Sequence, residues 1–167
     1  MAAAGVSWGT FFEYFPTKAD VFLESAAQLN RAFARAVSEG LASGRAVSEV
    51  ARDAFEAANP AIPADLGVAV FEEVLHRPGR VRAYASGDEA SMIDAMESLL
   101  ADGQRRRVIR DDYPARSLAT VTVWSVLISA VHDAIEPDDA PRRAAGSPPL
   151  SGVALAMALR GLRTPDL

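Results

Sequence analysis

Apolar residues that recur every three or four positions are the feature that most constrains the fold of this chain. The clearest stripe follows Thr17 and consists of Phe22, Ala26, Leu29, Phe33 and Val37. This spacing is typical of one apolar face along a long helix. Alanine is abundant, and β-branched residues rarely alternate with polar ones, so strands are not indicated. The sequence therefore predicts an all-α fold.

Capping residues, glycines and prolines divide the chain into predicted helices. Ser7 is a suitable N-cap for a short helix that ends before Pro16. Thr17 has the capping-box spacing for the long helix, which Gly40 or Gly44 ends. Further helices are predicted over 46–58, 64–76, 79–107 with an interruption near Ser86-Gly87, 115–135 and 151–162, and a loop over 136–149.

Several classes of chemistry are excluded by the residues that are absent. The 167 residues include no cysteine, which rules out disulfides, cysteine-bound zinc and cysteine nucleophiles. His76 and His132 are far apart and lack metal-ligand spacing, so we expect no metal site. No dinucleotide-binding, P-loop or nucleophile-elbow motif occurs. We therefore predict no catalytic residues and no cofactor, and we do not expect an enzyme.

The charge and hydropathy of the chain bear on its location. The formal net charge is −5, which argues against a surface dominated by contacts to nucleic-acid phosphates. No signal peptide precedes the first helix, and the longest apolar run, 118–135, is interrupted by polar residues. We expect this run to be a buried helix of a cytoplasmic protein.

The last two predicted helices carry more apolar surface than a single core face requires. A second copy of the chain would cover the excess, as in a two-fold homodimer. We predict interface residues at Val121, Ser125, Ile128, Ser129, Leu155 and Leu159.

The N-terminal stretch AGVSWGTFFEYFPTKADVF, residues 4–22, has the pattern of a helix, a tight turn and a second helix. It resembles the DNA-binding signature of TetR-type transcriptional regulators, in which Ala-Gly-Val-Ser-x-Gly-Thr leads into an aromatic-rich helix. The rest of the chain is similar to this family in its layout of helices. The resemblance implies a remnant of a helix-turn-helix domain over 1–40, which runs into a long connecting helix, and a helical ligand-binding and dimerisation domain over 41–167.

The same resemblance implies which residues contact operator DNA. They are Ser7, Trp8, Gly9, Thr10, Tyr14 and Lys18. The first four lie where family members approach the major groove, and the last two lie where phosphates are bound. The implied partner is a palindromic operator bound by a homodimer.

Two departures from the family pattern affect this interpretation. Phe12 stands where many members have tyrosine, so one phosphate-contacting hydroxyl is missing. The family has a first helix and most of a second before the turn, and only Met1 to Ala4 remain of them here. We therefore expect an N-terminally truncated member, which binds DNA poorly unless the missing helices are present.

The resemblance implies a repressor that a small molecule in the helical body releases from DNA. We expect an apolar or aromatic ligand, because the body is mostly apolar. Candidate pocket residues are Phe55, Phe71, Tyr84, Met92, Met96, Trp124 and Ile128. The alternative function is a dimeric small-molecule-binding protein that has lost DNA binding.

Overall fold

The computed structural model describes residues 13, 18–58, 76, 91–135 and 148–164. These residues form five α-helices: α1 Lys18–Ala42, α2 Val47–Ala57, α3 Met92–Arg105, α4 Ala115–Ile135 and α5 Leu150–Gly161. In this part of the chain the single β-type contact is an isolated antiparallel bridge between Ile109 and Arg163. The predicted all-α class is confirmed. Most of the helices predicted before Pro16 and over 64–76 lie outside the described residues.

Helices α1 and α2 form an antiparallel hairpin around a close backbone approach. Gly40 lies inside α1, which continues to Ala42, and its Cα faces the Val50 side chain of α2. A Cβ at Gly40 would lie 2.5 Å from both Val50 methyl carbons, so only glycine fits without displacement. Gly44 turns the chain with a φ of 65°, which glycine adopts without steric cost.

The hydrophobic core lies where this hairpin packs against α3 and extends towards α4 and α5. Its largest fully buried side chains are Phe33, Val37, Val50, Met96, Leu99, Leu100 and Val123. Phe33 and Val37 come from the stripe that the sequence analysis assigned to the long helix. These two residues of the predicted apolar face are therefore buried in the core.

Helix α3 begins later than predicted. Ser91 has an extended backbone, and its hydroxyl accepts a hydrogen bond from the Asp94 N–H at 3.2 Å. The Asp94 carboxylate in turn accepts from the Ser91 N–H at 3.0 Å, which completes a capping box. Within the predicted range 79–107, a new helix therefore begins at Met92, while 79–90, including the interruption expected near Ser86-Gly87, lie outside the described residues.

An ion-pair cluster ties the start of α4 to the start of α3. Arg116 pairs with Asp94 and, at 2.9 Å, with Glu97. Hydrogen bonds from Ser91 and Arg116 hold the pKa of the Asp94 carboxyl below its usual value, despite partial burial. The cluster holds the first turn of α4 against the first turns of α3.

The turn between α3 and α4 is organised by one side chain and closed by the C-terminal segment. Gln104 Nε2 donates to the carbonyl oxygens of Arg110 and Tyr113 at 2.8 and 2.9 Å. The Arg110 N–H then donates to the Leu162 carbonyl at 2.9 Å. This contact holds the end of α5 against the turn.

By length and composition alone, helix α4 is long and apolar enough to cross a membrane. The sequence analysis did not anticipate this finding, because polar residues interrupt the run 118–135. It packs against α3 on one side and α5 on the other. A third face is exposed: Val121 is 67% and Ile128 51% accessible. These contacts place α4 within a helical bundle with one apolar face uncovered in the single chain.

The close approach at Gly40 generates a stability prediction. Gly40→Ala should destabilise the fold by about 1–3 kcal/mol, because the added methyl overlaps Val50. The matched control is Gly161→Ala in α5, where nothing lies within 4 Å of the added Cβ. The control should be neutral or stabilising by up to about 1 kcal/mol, because alanine favours helix. Urea unfolding of both variants measures the difference, and equal stabilities would contradict the packing described here.

Candidate ligand-binding site

A cavity of about 330 Å³ lies between the α1–α2 hairpin, the start of α3, and the α4–α5 pair. This volume is at the lower end of the range for small-molecule sites, about 300–1,000 Å³. Its lining residues are Leu29, Arg52, Phe55, Glu56, Ala58, Met92, Val126, Leu127, Ala130, Pro149, Ser151, Gly152, Leu155, Ala156 and Leu159. All five helices thus contribute to the wall.

The inner wall of the cavity is apolar and rigidly packed. Phe55, Met92, Val126 and Leu155 are each buried in the core while also lining the cavity. Phe55 meets Phe33 of α1 edge to face, with ring centroids 5.0 Å apart and planes at 73°. Such pairs favour this geometry because the ring edge is positive and the ring face is negative. The wall therefore suits an apolar ligand.

Two charged side chains stand at the rim on successive turns of α2. Arg52 and Glu56 are exposed, and neither makes an ion pair with any residue in the described part of the chain. The nearby Arg45, by contrast, pairs with Asp53 at 2.7 Å and with Glu49 at 3.8 Å. Arg52 and Glu56 therefore keep their hydrogen-bonding groups available to a ligand.

The start of α5, which forms another part of the rim, is held by a carboxylate from α4. Asp133 accepts hydrogen bonds from the N–H groups of Leu150 and Ser151, each at 2.8 Å. Burial raises the pKa of the Asp133 carboxyl, but these hydrogen bonds outweigh burial and leave the pKa below its usual value. Asp133 thus acts as the N-terminal cap of α5 from a distant position in the sequence.

Helix α1 also reaches the cavity. Leu29 lines it, and the next residue, Asn30, accepts a hydrogen bond from the Met92 N–H at 3.2 Å. Met92 itself lines the cavity. A ligand in this space therefore contacts α1 and the residue to which α1 is hydrogen-bonded.

The structure places the predicted pocket residues in different surroundings. Phe55 and Met92 line the cavity together. Met96 is fully buried in the core, while Trp124 and Ile128 of α4 do not reach the cavity wall. Their positions on α4 explain this, because its cavity-facing residues are Val126, Leu127 and Ala130. Phe71 and Tyr84 lie outside the described residues.

The predicted DNA-contacting residues fall almost wholly outside the described part of the chain. They are Ser7, Trp8, Gly9, Thr10 and Tyr14. Lys18 is the first residue of α1.

The predicted interface residues divide between two surfaces. Val121, Ser125 and Ile128 lie on the exposed face of α4, and Ser129 is half-buried beside them. Leu155 and Leu159 instead line the cavity within the chain, because the stripe they form on α5 packs towards α4.

Several cavity residues were not predicted from the sequence. Leu29 belonged to the recognised apolar stripe of α1, but its spacing could not separate a cavity wall from ordinary core. Arg52 and Glu56 gave a weak signal only, since charged residues four apart on a helix are normally solvated. Their positions on either side of the buried Phe55 are what distinguish them.

The cap provided by Asp133 generates a pH-dependent prediction. Asp133→Ala should lower the stability at pH 7 by about 1 kcal/mol, as removal of an N-cap commonly does. Because the folded-state pKa is depressed, this stabilisation is complete above the unfolded value of about 3.9 and is lost as the pH falls through the folded-state pKa. Urea unfolding at several pH values should show the wild type and the variant converging in acid. Asp111→Ala, which removes an exposed carboxylate, is the control, and an equal loss in both variants would contradict the capping role.

The chain is similar to Thermus thermophilus FadR, a TetR family transcriptional repressor whose crystal structure is in complex with lauroyl-CoA. The two are 28% identical, and the alignment covers 99% of this chain and 84% of the Thermus chain with a TM-score of 0.68. No family model matches this chain, and a search of curated proteins gives no significant match. The structural likeness shows that the chain has the TetR-type helical fold, and it supports a transcriptional regulator rather than an enzyme.

Proposed function

We propose that this protein is a ligand-responsive transcriptional regulator of the TetR type, a repressor that a small apolar molecule releases from operator DNA. The observation that carries the proposal is the cavity whose wall includes α1. This helix begins within the signature at residues 4–22 and continues into the body, so a ligand in the cavity touches the element that is joined to the proposed DNA-contacting residues.

The release mechanism follows from population shift. A ligand changes an equilibrium only by its difference in affinity for the two states. Contacts to Leu29 and to Met92 depend on the position of α1, because Asn30 binds the Met92 N–H. A ligand that prefers one position of α1 therefore changes the orientation in which the chain presents its DNA-binding residues.

The proposed ligand is apolar over most of its length. The Thermus repressor was crystallised with lauroyl-CoA, and the apolar wall around Phe55 and Leu155 suits an acyl chain of that kind. A volume of about 330 Å³ accommodates such a chain but not a bulky polar head group in addition. Any large polar part would lie beyond the rim.

The proposed DNA contacts are those implied by the signature. Ser7, Trp8, Gly9 and Thr10 approach the bases of a palindromic operator, and Tyr14 and Lys18 bind phosphates. We further propose that the protein acts in the cytoplasm, where its operator is accessible.

A cavity-filling substitution tests the link between ligand and DNA. Ala130→Phe should leave binding to the DNA upstream of the gene unchanged but abolish release by decanoyl-CoA, because the ring occupies the cavity. The matched control is Ala57→Phe, which places the same ring on an exposed position of α2 outside the cavity. Electrophoretic mobility shifts measure both, with chains that begin at Met1 and at any in-frame start upstream.

Each outcome of this experiment is decisive. If decanoyl-CoA releases the wild type and Ala57→Phe from DNA but does not release Ala130→Phe, the result supports the proposal. Ligand binding by calorimetry without DNA binding in any chain supports instead a small-molecule-binding protein that has lost DNA recognition.

We also propose that the protein is a homodimer through the exposed face of α4 and the adjoining part of α5. Val121, Ser125 and Ile128 lie four and three residues apart on that face, and Met157 of α5 is 69% exposed. A soluble chain rarely leaves such apolar side chains grouped in water. A second copy related by a two-fold axis would cover this exposed face in both chains at once.

A charge on the exposed face of α4 should disrupt this assembly. Val121→Asp should shift the protein towards monomer, because an unpaired charge buried in an interface costs several kcal/mol, of the order of 3–5. Ser98→Asp, on an exposed face of α3, should leave the assembly unchanged. Sedimentation velocity at micromolar concentration gives the oligomeric state, and a monomeric wild type would overturn the dimer proposal.

A further inference from the structure

The charges at the cavity rim select for a particular kind of polar group. Arg52 and Glu56 both line the cavity, one helical turn apart on α2. They carry opposite charges and do not form an ion pair with each other. The remaining lining side chains are uncharged, so the rim is neutral in sum but strongly dipolar.

This arrangement distinguishes ligands by their charge distribution. For a ligand with a net charge near both side chains, attraction by one is offset by repulsion from the other, because the two Coulomb energies have opposite signs at similar distances. For a neutral group with a donor at one end and an acceptor at the other, both contributions are favourable. The rim therefore favours a neutral dipole over an anion or a cation.

The hydrogen-bonding capacities of Arg52 and Glu56 further define the polar group of the ligand. The Arg52 guanidinium only donates, and the ionised Glu56 carboxylate only accepts. A secondary amide carries a carbonyl oxygen and an N–H that point in opposite directions. Side chains four residues apart on a helix lie on the same face, with Cβ atoms about 5–6 Å apart, so both charged groups can reach one ligand.

We infer that the cavity takes an apolar acyl chain that ends in a neutral secondary amide, whose carbonyl accepts from Arg52 and whose N–H donates to Glu56. This inference rests on the proposed function, since it specifies the ligand of the same cavity. The apolar wall formed by Phe55, Met92 and Leu155 contacts the acyl chain, and the two charged side chains of α2 bind the head group.

Four probes of equal chain length separate the contributions of the N–H group and of net charge to the affinity. They are N-methyloctanamide, methyl octanoate, octanoate and octylammonium. The ester lacks the N–H but keeps the carbonyl, and the two ions carry a net charge. Isothermal titration calorimetry should show the amide binding about fivefold more tightly than the ester, the gain of one exposed charge-assisted hydrogen bond. Neither octanoate nor octylammonium should bind more tightly than the amide.

Substitutions at the rim assign the two hydrogen bonds. Glu56→Ala should abolish the preference for amide over ester, and Arg52→Ala should weaken both by about fivefold. The matched control is Arg35→Ala with Glu39→Ala, an exposed pair at the same spacing on α1 that does not line the cavity. These control variants should retain the affinities of the wild type.

The outcomes separate this inference from the function on which it rests. If the amide and the ester bind equally, or if octanoate binds more tightly than the amide, the inference about the head group is wrong while the cavity still binds acyl chains. If none of the four probes binds, the proposed ligand-binding function of the cavity fails as well.

Discussion

The edge-to-face contact between Phe33 and Phe55 is the interaction on which the rest of this structure depends. Phe33 is fully buried in the core on α1, and Phe55 forms part of the cavity wall on α2. One aromatic pair therefore belongs to both the core and the cavity. Because protein interiors are close-packed, a ligand that displaces Phe55 cannot leave Phe33 in place. The close approach of Val50 to Gly40 further along the hairpin is a second point of tight packing between α1 and α2.

This coupling explains why the cavity can serve a regulator. The α1–α2 hairpin forms one side of the cavity, and the α4–α5 pair forms the other. The exposed apolar face of α4 lies on the second side, where a partner chain would hold it. In the proposed dimer, a ligand would therefore lie between the helix pair that the second copy contacts and the hairpin that is joined to the proposed DNA-contacting residues.

The sequence predicted those features that depend on periodicity and local chemistry. The buried positions Phe33 and Val37 of α1 followed from their spacing, and the predicted range of α4 agrees with the structure, with Pro114 directly before its first residue. The start of α3 was missed, since the capping box at Ser91 competes with an apolar pattern that continues across it. The hydrogen bonds of the capping box, and not the apolar spacing, determine where α3 begins.

The division of apolar residues between cavity, core and exposed face was beyond sequence reasoning. Leu155 and Val121 have similar hydropathy, yet one lines the cavity and the other is exposed. Which face of a helix meets which neighbour depends on tertiary packing, and all-round apolar helices such as α4 and α5 carry no amphipathic signal that could indicate it. Phe55 and Met92 were predicted as pocket residues from the family layout and from large, adaptable side chains on helices expected to pack together.

The hydrogen bonds from Leu150 and Ser151 to Asp133 have a consequence for the evolution of this chain. They join α4 to α5 across 17 and 18 residues of sequence, so the register of the two helices is set at this contact. The length of chain between two helices that are fixed in this way is a minor term in the free energy, since each doubling of a connection costs about 0.6 kcal/mol. Related genes should therefore tolerate insertions and deletions between these two helices far better than any change of the aspartate that joins them.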